Sequence, residues 1–200
     1  MKVAWEKLDE LANEHGDCFY LLDLETFQET YERFVEEFQS IYHRTIVAYS
    51  YKANYLPSLC RRIQKIGGYA EVSSGMEYAL AERVSMAPEQ IVFNGPLKTE
   101  DELERALLQG SMVNLENHYE TKLLSSIAAA NPNASIRVGL RCKPDVAADS
   151  RFGFSDDGAL EEVLSEIRAL PNCVIDGLHI HLCTPEKSPE TYSEMTEQLM

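Results

Sequence analysis

Basic residues are scarce in this sequence. Its 200 residues include 18 lysines and arginines against 33 aspartates and glutamates, which gives a formal net charge of -15. Nucleic acids and anionic membranes both favour clusters of basic side chains, so we expect neither as a partner. An anionic cofactor needs only a few local donors, and the charge balance leaves that possibility open.

The cysteines lack the spacing of a metal or disulfide site. The five are odd in number and irregularly placed, and no Cys-x-x-Cys pair occurs. We therefore expect neither structural zinc nor a disulfide framework. No apolar run reaches membrane length, and the N-terminus lacks the pattern of a signal peptide. The expected setting is the cytoplasm, with reduced thiols.

Strand and helix patterns alternate along most of the chain. Apolar strand candidates recur, with helical patterns of leucine, isoleucine and alanine between them. The strand candidates fall at residues 45–50, 69–72, 90–93, 111–116, 135–142 and 173–182. This alternation predicts an α/β fold with a parallel sheet covered by helices. Residues 1–44 come first, with a helix, a short strand at 18–22 and a second helix capped by Asp23.

Two parallel architectures fit this alternation, a doubly wound open sheet and a (β/α)8 barrel of the TIM type. The early strands recur every ~20–25 residues, as compact βα units allow. No glycine-rich phosphate motif follows any strand candidate. Both observations favour the barrel.

A complete barrel needs eight strands, and six are visible. We expect a barrel domain over residues 45–200 that is truncated after about six strands, with residues 1–44 flanking it. The chain would then be the front part of a longer protein, or a half that closes against another chain.

One lysine stands where the first strand candidate ends. Ala48, Ser50 and Lys52 share one strand face, and the first two are small, which leaves room beside the amine. Taken alone, Lys52 is either a surface residue with a solvated ammonium or a buried amine. Burial disfavours the charged form and makes an amine a nucleophile that can form a Schiff base.

Six short motifs stand in a fixed order from this lysine onward. They are Tyr51-Lys52-Ala53-Asn54, Glu71-Val72-Ser73-Ser74-Gly75-Met76-Glu77, Asn94-Gly95-Pro96-Leu97-Lys98, Val138-Gly139-Leu140-Arg141, Arg151-Phe152-Gly153-Phe154 and Gly177-Leu178-His179-Ile180-His181-Leu182-Cys183-Thr184. The series resembles the pyridoxal 5′-phosphate (PLP) decarboxylases of the alanine-racemase-like fold, which include diaminopimelate, ornithine and arginine decarboxylases. The resemblance runs from about residue 19 to residue 184.

The resemblance implies roles for five residues near strand ends. Lys52 would hold PLP as a Schiff base, and Glu71 would be the acidic residue placed near that lysine. Arg141 would be the strand-end arginine close to the cofactor. His181 would stack its ring on the pyridine face, and Thr184 would bind the cofactor phosphate. Lys52 and His181 would then be the catalytic residues of this segment.

The last motif departs from the family's His-x-Gly-Ser pattern. Thr184 keeps the hydroxyl of the usual serine, whereas Cys183 lacks the freedom of glycine at positive φ and its close backbone approach. In the family, the acid that partners the pyridine nitrogen, a glycine-rich phosphate loop and a C-terminal β-domain all follow the sixth strand. We therefore expect that these residues alone do not turn over substrate efficiently, and that the intact protein is a homodimer.

Three functions remain open from the sequence. The first is decarboxylation of an amino acid, which is a lyase reaction. The sequence of the 177–181 motif resembles the diaminopimelate branch and favours that substrate. A basic amino acid and a specialised biosynthetic substrate are the other options. The second is a non-catalytic or regulatory relative that carries PLP. The third is a metal-dependent barrel hydrolase that uses His179 and His181, but no third ligand stands at suitable spacing, so we expect no metal.

Two of the implied site residues also have plain structural interpretations. Arg141 could simply pair with an acidic neighbour, and Glu71 could be a solvated loop carboxylate. We expect Asn94-Gly95-Pro96 to be a structural turn, since this residue sequence is typical of turns.

Overall fold

This computed structural model describes residues 3–144, 150–155, 158–182 and 188–198. The chain divides into two compact units, residues 1–47 and residues 48–200.

The first unit contains two helices in its described part, α1 (Trp5–His15) and α2 (Leu24–Ile41). The cap predicted for α2 is confirmed, because Asp23 Oδ1 accepts a hydrogen bond from the Thr26 amide at 2.9 Å. The strand predicted at 18–22 is wrong, since those residues form no regular element and Tyr20 is fully exposed. A strand needs a neighbour to satisfy its backbone, and the described part of this unit offers none.

Strands and helices alternate through the described part of the second unit. They are β1 (Ala48–Ser50), α3 (Pro57–Lys65), β2 (Tyr69–Val72), α4 (Gly75–Arg83), β3 (Ile91–Phe93), α5 (Glu100–Gln109), β4 (Met112–Leu115), α6 (His118–Ala130), β5 (Ile136–Lys143), β6 (Phe154–Ser155), α7 (Ala159–Arg168), β7 (Cys173–His179) and α8 (Pro189–Glu197). All six predicted strands are present, most of them shorter than predicted. The additional β6 has only two residues, too few to produce a sequence pattern.

Side-chain caps fix where several of these helices begin. The capping box predicted for α5 is confirmed: the Glu102 amide donates to Thr99 Oγ1 at 3.4 Å, and the Thr99 amide donates to Glu102 Oε2 at 2.9 Å. Ser188 caps α8 by accepting from the Thr191 amide, and Pro189 takes the first helical position.

Every described strand pairing is parallel, and the order of the strands follows the chain. β1 pairs with β2, β2 with β3, β3 with β4 and β4 with β5. β5 then pairs with β7 over most of its length, and its last residues pair with β6. A doubly wound sheet reverses its strand order at a switch point, whereas a barrel does not. The consecutive order is therefore that of a barrel wall.

Alternation along the strands separates an apolar outer face from a more polar inner face. Ala70 and Val72 of β2 are buried, while Glu71 between them lies on the other face. The ring of Phe93 on β3 lies 5.3 Å from the ring of Tyr78 on α4, so the buried residues face the helices. The inner face, with the polar side chains, is left to line the interior of the barrel wall.

No helix within the described ranges combines the length and the apolar character that crossing a membrane requires.

We expect Leu103→Ala to lower the free energy of unfolding by about 2–5 kcal/mol, because Leu103 of α5 is fully buried and truncation leaves a cavity. Leu108→Ala on the same helix is the matched control, since 44% of Leu108 is exposed, and we expect it to cost less than about 1 kcal/mol. Urea denaturation measures both. Similar losses for the two variants would contradict the assignment of the buried face.

Candidate functional site at the carboxyl ends of the strands

A cavity of about 600 Å³ opens at the carboxyl ends of the strands. It brings together Lys52 after β1, Glu71 in β2, Arg141 in β5 and His181 after β7, four of the five site residues that the sequence singled out. Parallel pairing of consecutive strands delivers these residues to one edge although they are far apart in sequence. Thr184 lies outside the described residues.

The lysine lies at the mouth of this cavity. Ala48 and Ser50 line the cavity with Lys52, as their shared strand face predicted. Lys52 belongs to a turn that follows β1, and its side chain is exposed. Its amine therefore meets both solvent and the cavity interior. Of the two positions that the sequence left open, the structure shows the exposed one, within a site.

Glu71 accepts hydrogen bonds from three side chains. Ser50 Oγ donates to Oε2, while Ser73 Oγ and Asn94 Nδ2 donate to Oε1 at 3.2 and 3.1 Å. Burial raises the pKa of this carboxyl, but the donors from Ser50 and Asn94 and the positive charge of Lys52 outweigh it, so that the pKa lies below its ordinary value. Glu71 is thus an ionised carboxylate held beside the lysine, and not a solvated loop residue.

Arg141 forms a buried ion pair at the opposite wall of the site. Its Nη1 lies 2.7 Å from Glu116 Oε2, and the two side chains are 7% and 1% exposed. The guanidinium also lies over the ring of Phe152, 5.4 Å from the centroid. The structural interpretation of Arg141 as half of an ion pair is therefore correct, and the same residue lines the cavity. The pair fixes the direction in which the guanidinium points.

The turn after β3 touches the site through its backbone as well as its side chains. Gly95 has φ +101°, and its amide donates to Glu116 Oε1 at 2.9 Å. A Cβ at this position would lie 2.2 Å from the Ser73 carbonyl oxygen, so only glycine fits. The chain bends at Pro96, in the segment where a turn was predicted. Asn94 of this segment also lines the cavity, a role that the turn motif alone did not indicate.

A second buried ion pair ties this turn to the end of β4. Lys98 Nζ lies 3.2 Å from Glu120 Oε1 and also donates to the carbonyl oxygens of Gly95 and Asn114 at 3.0 and 2.8 Å. Glu120 in turn accepts from the Lys98 and Glu116 amides at 3.1 and 2.9 Å. Both side chains are fully buried. Burial lowers the pKa of Lys98 and raises that of Glu120, while each charge opposes the shift of the other.

Sequence reasoning missed this pair, although half of it had a signal. Asn117 caps α6 by accepting from the Glu120 amide at 3.0 Å, so Asn117-His118-Tyr119-Glu120 has the spacing of a capping box. Lys98 ends the third motif, but nothing local distinguishes a lysine that will be buried from one that will be solvated, so its burial was not predictable.

His179 is a cavity residue that was not among the five implied site residues. The sequence favoured a structural or cofactor-stacking role for it over metal binding. It lines the cavity, and no described residue offers a hydrogen-bond partner to its buried Nδ1. Burial and the nearby charge of Arg141 lower its pKa from 6.5 to about 4, so the imidazole is neutral at neutral pH. Among the described residues, no group of three or more histidine, cysteine or acidic side chains could hold a metal ion.

These residues form a candidate small-molecule site in a barrel wall of parallel strands. An accessible amine, an ionised carboxylate, a fixed guanidinium and two imidazoles converge on one cavity, whose volume is within the usual range for ligand sites. The unpartnered nitrogen of His179 leaves hydrogen-bonding capacity for a ligand. An aldehyde-bearing, anionic heterocycle such as PLP fits this set of donors, because it needs an amine for attachment and a cation and flat side chains for orientation.

The family comparison agrees with this class of site. Residues 24–200 match the family model for the pyridoxal-dependent decarboxylase, pyridoxal binding domain. The chain belongs to this family. The match confirms the fold that the sequence predicted, a barrel of the PLP decarboxylase type, and the expected pyridoxal cofactor.

Similar proteins point the same way. A diaminopimelate decarboxylase of Aquifex aeolicus is 29% identical over 96% of this chain and 47% of its own length. An L-glutamyl-[BtrI acyl-carrier protein] decarboxylase of Niallia circulans is 28% identical over 97% of the chain and 47% of its own length. The crystal structure of diaminopimelate decarboxylase from M. jannaschii in complex with L-lysine has a TM-score of 0.86 at 25% identity, covering 96% of this chain and 48% of that one. The chain thus spans about half the length of the relatives it matches.

We expect Lys98→Met to lower the free energy of unfolding by about 3–5 kcal/mol, because it leaves the Glu120 carboxylate buried without its cation. Arg105→Met is the control. It breaks an ion pair between the side chains of Arg105, 49% exposed, and Glu82, 24% exposed. We expect this variant to lower the free energy of unfolding by less than about 1 kcal/mol. Urea denaturation compares the variants, and equal losses would show that burial does not distinguish the two pairs.

The neutral imidazole of His179 predicts a pH dependence of stability. Its pKa of about 4 in the folded protein lies below the ordinary 6.5. Between those two values the unfolded chain binds a proton that the folded chain does not, so stability falls as pH drops from about 6.5 to about 4. We expect His179→Asn to flatten this part of the profile, measured as the free energy of unfolding without cofactor. An unchanged slope would contradict the neutral, buried state.

Proposed function

We propose that this chain contributes the PLP-binding barrel, residues 45–200 flanked by residues 1–44, to an amino-acid decarboxylase, with Lys52 as the covalent attachment point of PLP. The observation that carries the proposal is the convergence of Lys52, Glu71, Arg141 and His181 on one cavity at the carboxyl ends of parallel strands. The family match supports the same assignment. When bound, PLP acts as an electron sink for the bond that is broken in the substrate.

Lys52 and Glu71 form the attachment side of the site. The turn after β1 leaves the amine accessible to a small aldehyde, while the negative charge of Glu71 attracts a positive charge on Nζ. Ser50 and Asn94 keep that carboxylate ionised by donating to it. The carboxylate therefore acts as a fixed counter-charge at the atom where the cofactor is held.

Arg141 and the two histidines form the orienting side. The guanidinium is held by Glu116, so its remaining N–H groups have a fixed direction from which to bind an anionic group. The ring of His181 would lie flat against the pyridine. His179 stays neutral at neutral pH and so contributes a hydrogen-bonding nitrogen without adding a positive charge. Thr184 completes the proposal as the phosphate-binding hydroxyl.

Diaminopimelate is the substrate we favour, with basic amino acids next. Several similar proteins are named diaminopimelate decarboxylases, and the 177–181 motif resembles that branch. The Niallia circulans relative, named for a glutamyl group on a carrier protein, supports including such conjugates in a substrate panel. A cytoplasmic homodimer without nucleic-acid or membrane partners completes the proposal, and the net charge of -15 supports the absence of anionic partners.

Lys52→Ala should abolish covalent attachment of PLP. We expect the intact protein to bind PLP with a yellow absorbance, to retain the label after borohydride reduction, and to lose both in the variant. Peptide mapping should locate the label on residue 52. Lys65→Ala, at an exposed position of α3, is the matched control and should keep the label. Label that persists in Lys52→Ala would refute the attachment point.

Release of CO2 from the intact protein distinguishes an enzyme from a non-catalytic PLP carrier. The panel should include diaminopimelate, lysine, ornithine, arginine and a glutamyl carrier-protein conjugate. We expect one of these substrates to release CO2 in the wild type and none to do so in Lys52→Ala. Cofactor fixed at Lys52 without CO2 from any member would favour the regulatory alternative.

A further inference from the structure

A row of hydrogen-bonded side chains runs across the sheet and reaches the cavity. Asn114 Nδ2 on β4 donates to Asn94 Oδ1 at 2.7 Å, and Asn94 Nδ2 donates to Glu71 Oε1 at 3.1 Å. Ser50 of β1 donates to the other oxygen of the same carboxylate. The row therefore includes residues of β1, β2 and β4 and the residue that follows β3, and it ends beside Lys52.

The carboxylate of Glu71 determines which way the two asparagine amides in this row must point. An ionised carboxylate can only accept, so Asn94 must turn its NH2 group toward Glu71. The carbonyl oxygen of Asn94 then faces Asn114, which must donate in turn. Asn114 thereby presents its own oxygen to β5, on the side where Gly139 lies.

Gly139 provides the space that this arrangement requires. A Cβ on Gly139 would lie 2.0 Å from Asn114 Oδ1, so any other residue must displace the amide. The φ of Gly139 is not in the left-handed region, so the requirement concerns space alone. Gly177, its paired residue on β7, has nothing within 4 Å of the corresponding position. The two glycines form a matched pair in which only Gly139 meets the row.

We propose that Asn114 and Gly139 are positioning residues of this site, which together hold the Asn94 amide so that it donates to the carboxylate beside Lys52. Neither residue lines the 600 Å³ cavity; both line a smaller cavity of about 280 Å³ toward the amino ends of the strands. The functional meaning of the row rests on the proposed attachment of PLP at Lys52, whereas the row itself does not.

The pKa of Glu71 depends on whether Asn94 donates to this carboxylate, so a titration of Glu71 tests the row. Among the described residues, the charge of Lys52 acts on this carboxyl and the carboxyl in turn acts on His179. Ser50 and Ser73 donate to it independently of Asn94. Loss of the Asn94 donor removes one of the interactions that keep its pKa low. A carbonyl oxygen turned toward Glu71 in place of the NH2 group adds repulsion, and raises the pKa further.

The test is a carbon-13 NMR titration of glutamate side chains in the cofactor-free intact protein, with the Glu71 signal assigned by Glu71→Gln. We expect the pKa of Glu71 to rise in Asn114→Ala and in Gly139→Ala, and most in Asn114→Asp, whose carboxylate draws the Asn94 NH2 group to itself. The double variant Asn114→Ala with Gly139→Ala should shift no more than either single variant. Gly177→Ala should leave the titration unchanged.

The pH profile of borohydride-fixed PLP gives a second measurement. We expect its acid limb to move to higher pH in Asn114→Asp and Gly139→Ala, and to stay in place in Gly177→Ala. An unchanged Glu71 titration in Asn114→Ala and Gly139→Ala, or an equal shift in Gly177→Ala, would overturn the positioning role. A shifted Glu71 titration without any fixed PLP would retain the role of the row and refute the proposed function.

Discussion

Three buried or half-buried carboxylates, Glu71, Glu116 and Glu120, hold the carboxyl edge of this barrel wall together. Each accepts two or more hydrogen bonds, and each joins groups from different strands or the turns that follow them. A buried carboxylate without such donors is costly, so these hydrogen bonds require the surrounding turns to keep their conformations. The geometry of the site depends on these hydrogen bonds, because they fix where the side chains and turns at this edge lie.

Each of these three carboxylates has a different role at this edge. Glu71 places negative charge beside the accessible amine, Glu116 fixes the guanidinium of Arg141, and Glu120 anchors the turn after β3 through Lys98. Only the first two line the cavity. The structure thus separates residues that can touch a ligand from residues that support them by hydrogen bonds.

Much of the fold was predictable because its signals are local. The capping box at Thr99 and the apolar runs of β2 and β5 identify their elements within a few residues. The prediction failed at 18–22, where an apolar run has no partner strand, and it missed the two-residue β6. Pairing decides whether such a segment becomes a strand, and pairing is a non-local property.

The sequence by itself determined the alternation of strands and helices, and the order of motifs that identifies the family and directs attention to Lys52. The tertiary structure alone decided that Lys98 and Glu120 are buried together, that His179 faces the cavity in neutral form, and that Asn114 needs the space left by Gly139. The physical reason is that charge state and available space depend on neighbours that fold from distant parts of the chain. A local sequence pattern indicates helix or strand propensity and hydrophobic periodicity. It does not specify which charged side chains will be buried next to each other in the folded protein.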